Sequence, residues 1–153
     1  MDERGKAQAL TTQWAAKVWQ SHRQGLLLEG EAVEVAYCME HHREWWPVWE
    51  SLATCQDSGI TIEGPDGEVN PLLHVHLDAT VKRQIDGENP REVKVIYNLL
   101  RAKGFDEFAA IHVIDLALTD EIWRVAKEKK DFNESRYIVK TRHYVTQAIL
   151  RRK

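Results

Sequence analysis

The chain has 153 residues, of which 43% are hydrophobic and 29% charged, with a formal net charge of −3. This composition predicts one folded domain over residues 1–153 with a sizeable core, and it argues against disorder. No apolar run reaches the roughly 20 residues of a membrane span, and the polar N-terminus is unlike a signal peptide. Because the two cysteines, Cys38 and Cys55, form no Cys-x-x-Cys pair, we expect them to be reduced thiols in a cytoplasmic protein. The absence of a long apolar run leads us to expect no membrane contact.

The first third of the chain predicts two helices and a short third one. Residues 6–24 place Leu10, Trp14 and Val18 at the spacing of an amphipathic helix that Gly25 ends. A second helix is predicted over about 29–42, with a buried face formed by Ala32, Val35, Ala36 and Met39. Pro47 suits the first turn of a short helix that puts Trp45 and Trp49 on one face, and we interpret these tryptophans as core.

The middle of the chain is predicted to connect the helices of the first third to those of the last half. Residues 53–69 read as a loop, in which the Ile60–Ile62 segment and the turn residues after it suggest a small β-hairpin near 60–69. Such a hairpin is marginal when it stands alone.

The last half predicts four helices joined by short connections. One helix-start signal, an Asn cap followed by Pro in the first turn, occurs twice, at Asn70-Pro71 and at Asn89-Pro90. It predicts two helices, which end at about residues 85 and 103. Gly104 suits the second helix end, and Asp106 suits the cap of a helix reaching about 129. Asn133 suits the cap of a basic C-terminal helix over 133–152.

A group of polar side chains interrupts the apolar faces of two of these helices. His74 and Asp78 are one turn apart in the first, and His112 and Asp115 lie in the third. Short connections make consecutive helices antiparallel, so these two should run the same way. At 1.5 Å per residue the four side chains stand roughly 5 to 14 Å from their helix starts, which would let them meet at one level.

Three interpretations of this group stay open. The favoured one is an internal His/Asp hydrogen-bond network that fixes the packing of the helices. The second is a divalent metal site for Zn, Fe, Mn or Ni, because imidazoles and carboxylates on facing helices build such sites. The third is acid–base catalysis, although no nucleophile or cofactor motif accompanies it.

The remaining histidines carry weaker signals. His41 and His42 lie at the end of the second helix, where a cationic imidazole suits the helix dipole. His76 points away from His74 and is expected at the edge of the core or in solvent. His22 and His143 are expected at the surface, with His143 a further ligand if the last helix crosses the site.

Charge is unevenly distributed along the chain. Residues 1–123 carry 11 basic and 21 acidic side chains, whereas residues 124–153 carry 10 basic and 3 acidic ones. The simpler interpretation is that the basic last helix packs against an acidic remainder. The alternative is nucleic-acid binding, which is less favoured because that remainder would repel phosphate. It would use Lys140, Arg142, Arg151, Arg152 and Lys153.

Several of these residues also resemble the motifs of a bacterial family of unknown function. The resemblance covers residues 70–123, and more weakly 27–50. Its motifs are an Asn-Pro-x-x-His segment that ends in Gln, a Pro-led helix that contains a Tyr, and a helix that contains a His and an acidic residue three positions before a Trp. Asp78 stands where that family usually has a second His. The resemblance implies a small, cytosolic, mostly helical bacterial protein, and it supplies no assigned activity. The matching residues are Asn70, Pro71, His74, Gln84, Pro90, Tyr97, His112, Asp120 and Trp123.

Together these observations predict an all-α bundle of five or six helices. The favoured function is a binding or assembly protein that associates with itself or a protein partner, with the His/Asp group as an internal network. A metal-binding protein or metal-dependent enzyme using His74, Asp78, His112 and Asp115 is the alternative, and a nucleic-acid-associated module is a further one.

Overall fold

The structure of the chain is a computed structural model that describes residues 3–52 and 71–152, with side chains from residue 12 onward. Every regular element in these ranges is helical, which confirms the all-α prediction. The described part contains seven α-helices, more than the five or six predicted for the bundle, and the short α3 corresponds to the short helix predicted at Pro47. The elements are α1 (Glu3–Arg23), α2 (Glu31–His41), a 3₁₀ turn (Arg43–Trp45), α3 (Trp46–Ser51), α4 (Pro71–Asp86), α5 (Arg91–Ala102), α6 (Glu107–Glu128) and α7 (Glu134–Arg151).

Several sequence predictions fall outside what the structure describes, namely the hairpin near 60–69, the environment of Cys55, the Asn70 cap, and the side chains of Leu10 and Lys153. None of the helices in the described ranges has the length and apolar character required to cross a lipid bilayer.

The chain divides into two compact units, and the boundary falls within α4, between Ala79 and Thr80. In the first unit, α1, α2 and α3 pack on one another. Trp19 and Trp49 are each about 1% exposed and fill the centre of that packing. The indole N–H of Trp49 donates to the carbonyl of Met39 at 3.0 Å. Trp49 is therefore core as predicted, whereas Trp45 is only half-buried.

The second unit is built on the long α6–α7 pair, with α5 packed against both. One face of α6, which carries Phe108, Ile111 and Leu118, is buried, whereas Ile122 is 43% exposed. The hydroxyl of Tyr137 donates to Gln84 at 2.6 Å, which ties α7 to the end of α4. Of the basic side chains in the last helix, Lys140 lies 3.9 Å from Asp120.

Two of the predicted helix caps in this unit are present. The side chain of Asp106 accepts from the Ala109 N–H at 2.8 Å, and that of Asn133 accepts from the Arg136 N–H at 2.9 Å. The prediction for Asn89 is wrong. The extended residue Pro90 takes the cap position itself, without a side-chain cap, so α5 begins one residue later than expected.

Candidate metal centre

The first ligand-type side chain of the site, His42, is placed by the end of α2. That helix ends at His41, and the N–H of His42 still bonds to the Cys38 carbonyl at 3.3 Å while its backbone leaves the helical region. The chain then enters the 3₁₀ turn at Arg43. This change of direction leaves His42 only 5% exposed.

The other two ligand-type side chains of the site lie on one face of α4. His74 and Asp78 are one turn apart, and the Nε2 atom of His74 lies 3.3 Å from Oδ2 of Asp78. The Nε2 atom of His42 lies 2.9 Å from the same oxygen. Asp78 is fully buried, whereas His74 is half-buried. One ligand atom from each of the three side chains lies within 4.8 Å of the others, the spacing that a bound metal ion requires.

An aromatic wall holds the two imidazoles in place. The ring of Trp45 stacks on His42 with centroids 4.6 Å apart and planes at 30°. The same indole meets His74 edge to face at 5.3 Å, and the two imidazoles are T-shaped at 4.9 Å. Such packing restricts the ring rotations that would turn the Nε2 atoms away from Asp78.

The outer ring nitrogen of His42 is also engaged. Its Nδ1 atom lies 3.0 Å from Oε1 of Glu44, whose side chain is largely exposed. Burial lowers the pKa of His42, but the hydrogen bonds to Asp78 and Glu44 more than offset this, and the pKa is raised overall. When Nδ1–H donates to Glu44, Nε2 faces the Asp78 carboxylate and must carry a proton or share a cation with it.

The other two predicted ligands, His112 and Asp115, belong to α6 in the second unit. The His112 ring is half-buried, with its centroid 6.1 Å from that of Phe108. Asp115 is buried near Tyr137, where burial first and the Asp115 charge second raise the pKa of the phenol. Asp115 is not a member of any metal-ligand group found among the described residues. A role for His112 and Asp115 in the same centre stays a prediction.

Sequence reasoning missed His42, which it interpreted through the helix dipole. The available signal was its place just after a helix end and directly before Arg43-Glu44-Trp45, a segment already noted as family-like. His76 agrees better with expectation, because it is half-buried at the edge of the core. Its ring stacks on Trp14 at 6.0 Å, and burial lowers its pKa.

Fold and site together define an all-helical protein with a buried His/Asp group that has the donor atoms for a metal ion. The chain belongs to the family described as Domain of unknown function (DUF1841), whose model matches residues 8–143. No curated protein and no solved structure matches the chain. The predicted membership of a family of unknown function is thus confirmed, and the match extends well beyond the 27–50 and 70–123 segments.

Proposed function

We propose that this protein binds a divalent transition-metal ion through His42, His74 and Asp78. One observation carries the proposal: a fully buried carboxylate oxygen lies between two imidazole Nε2 atoms, at 2.9 and 3.3 Å, that come from separate parts of the first unit. Two imidazoles and one carboxylate suit Zn²⁺ or Fe²⁺.

A centre with three protein ligands would suit a catalytic rather than a purely structural metal site. Three protein ligands leave positions for water or a small molecule, as in catalytic zinc sites and in iron sites of the two-histidine, one-carboxylate type. We further propose His112 as a fourth ligand, and this part rests on the sequence pattern alone. With it, the centre would still leave a position open in a five- or six-coordinate ion.

Glu44 is placed where it could orient a metal-ligating histidine. A carboxylate on Nδ1 of a ligating histidine fixes the tautomer and aims Nε2 at the metal. In an internal network without a metal, the same contact would instead help to keep His42 protonated. The network without a metal remains the competing proposal, in which a protonated His42 would take the place of the ion.

Metal analysis of the untagged protein, followed by Zn²⁺ and Co²⁺ titration calorimetry, tests the proposal. We expect about one metal per chain, visible d–d bands with Co²⁺, and a loss of more than about 100-fold in affinity for His42→Gln and His74→Gln. The control His143→Gln, which removes an exposed imidazole from α7, should bind as wild type.

Two outcomes would contradict parts of the proposal. If the wild type carries no metal and gives no saturable binding, the network proposal replaces the metal centre. If His112→Gln binds metal like the wild type, His112 is not a ligand and the three-residue centre stands alone. Circular dichroism of each variant separates loss of metal from loss of fold.

A further inference from the structure

We propose that the groove between α5 and α7 in the second unit binds an amphiphile with an anionic head group, namely a medium-chain fatty carboxylate. The groove encloses about 540 Å³, within the range of small-molecule sites. Val95 and Leu99 form its outer wall and are 58% and 44% exposed, whereas Ile96 and Val145 are buried beneath them. Apolar side chains left in solvent along a groove provide the surface that an acyl chain would cover.

The groove has a charged end and an apolar end. The guanidinium of Arg152, just after α7, lies 3.7 Å from the ring centroid of Phe105, just after α5, so the two helices run the same way. Arg142 lies ten residues before Arg152, or about 15 Å along the helix, which places it towards the start of α5. Arg91 is the first residue of α5. Both arginines line the groove, and by this register both lie nearer to the start of α5 than Leu99 does.

The charge at that end selects an anion. Glu92 also lines the groove, so two guanidiniums face one carboxylate and leave a net positive charge. Guanidinium groups bind carboxylates with paired, charge-assisted hydrogen bonds, and the N-terminal end of α5 adds a partial positive charge. A small hydrophilic anion would not cover Val95 and Leu99, and a neutral or cationic amphiphile would not use the arginines.

Titration calorimetry of the full chain with decanoate, below its micelle concentration, tests this proposal. We expect saturable one-to-one binding, roughly tenfold weaker for octanoate because two fewer methylenes are buried. Decanol should bind more weakly than decanoate, and decyltrimethylammonium more weakly still. Amide NMR shifts should concentrate in residues 91–99 and 142–146.

Matched variants separate the head and tail contributions. Arg142→Gln should weaken decanoate about tenfold and leave decanol unchanged, while Leu99→Gln should weaken both. The controls are Arg151→Gln, an exposed arginine of the same helix, and Leu116→Gln, a 50% exposed leucine of α6, and both should bind as wild type. Absence of saturable binding, equal affinity for decanoate and decanol, or an equal loss in Leu116→Gln would overturn the proposal.

Discussion

Asp78 in the first unit and Glu121 in the second are buried carboxylates with different kinds of partner. In the first, Asp78 faces two imidazoles, which are side chains that exchange a proton for a metal ion near neutral pH. In the second, Glu121 is 2% exposed, and its Oε1 accepts from Arg124 Nε and from the Asn133 N–H, both at 3.0 Å. Arginine keeps its charge and an amide N–H is a fixed donor, so Glu121 is permanently satisfied.

This difference leads us to expect a structural role for Glu121 and a ligand role for Asp78. The Glu121 contacts join the end of α6 to the start of α7, because Arg124 also donates to the Asp131 carbonyl at 2.9 Å. The Asp78 contacts instead bring ligand-type atoms to one point behind Trp45. Changes at Glu121 should therefore alter stability, whereas changes at Asp78 should alter ligand binding first.

The largest expected effect is on metal binding at Asp78. Asp78→Asn keeps the shape of the side chain but removes the negative ligand, so affinity for Zn²⁺ should fall by more than about 100-fold in calorimetry. The matched control is Asp86→Asn on the same helix, where the exposed carboxylate pairs with Lys82 at 3.4 Å. Equal metal affinity in Asp78→Asn and the wild type would remove the distinction between the two carboxylates.

The next effect is on stability at Glu121. Glu121→Ala leaves the Asn133 N–H and the guanidinium without their carboxylate, and we expect a loss of about 2 kcal/mol in urea unfolding. Glu128→Ala, which removes an exposed carboxylate 3.5 Å from the same arginine, should cost less than about 0.5 kcal/mol. A comparable loss in both variants would show that the buried network is no stronger than a surface ion pair.

The same carboxylate should make stability depend on acid pH. The hydrogen bond from Arg124 holds the pKa of Glu121 below its usual value of 4.5. The folded state therefore favours the charged form, so its stabilisation is complete above the unfolded pKa and is lost as the pH falls through the folded pKa. Unfolding measured from pH 6 down to about pH 3 should show a shallower decline in Glu121→Gln than in the wild type.

A smaller effect is expected at Glu44, which would orient His42 without touching the metal. Glu44→Ala should weaken Zn²⁺ binding about tenfold, with Glu44→Gln intermediate because the amide oxygen still accepts from Nδ1. The melting temperature of the metal-free protein should not change, since the side chain is largely exposed. The control Glu40→Gln alters a carboxylate hydrogen-bonded to a different imidazole, His22, and should leave affinity unchanged.

The smallest effect is expected at a helix cap of the second unit. Asn133→Ala removes the acceptor for the Arg136 N–H and should cost about 1 kcal/mol in urea unfolding, with metal binding unchanged. Asn98→Ala, at an exposed position inside α5, should instead be neutral or slightly stabilising because alanine is the better helix former. A destabilised Asn98 variant would mean that the Asn133 result does not report on capping.

Local signals in the sequence were sufficient for most of the helices. Asp106 and Asn133 cap α6 and α7 as predicted, because a cap depends on a side chain and an N–H only three residues away. The prediction that Asn89 caps α5 is wrong for a reason that is also local, because Pro90 occupies the cap position with extended backbone. The pairing of His74 with Asp78 could likewise be predicted from helical periodicity, because the two residues are only four positions apart.

By itself, then, the amino-acid order determined an all-helical chain, most helix ends and two of the three side chains in the centre. Only the tertiary structure decided that His42 is the third, because its contact with Asp78 joins residues 36 positions apart. Periodicity describes neighbours along one helix, whereas that contact depends on how the chain turns after α2 and where it then meets α4. The same limit explains why an imidazole at a helix end was interpreted through the helix dipole rather than as part of a buried His/Asp group.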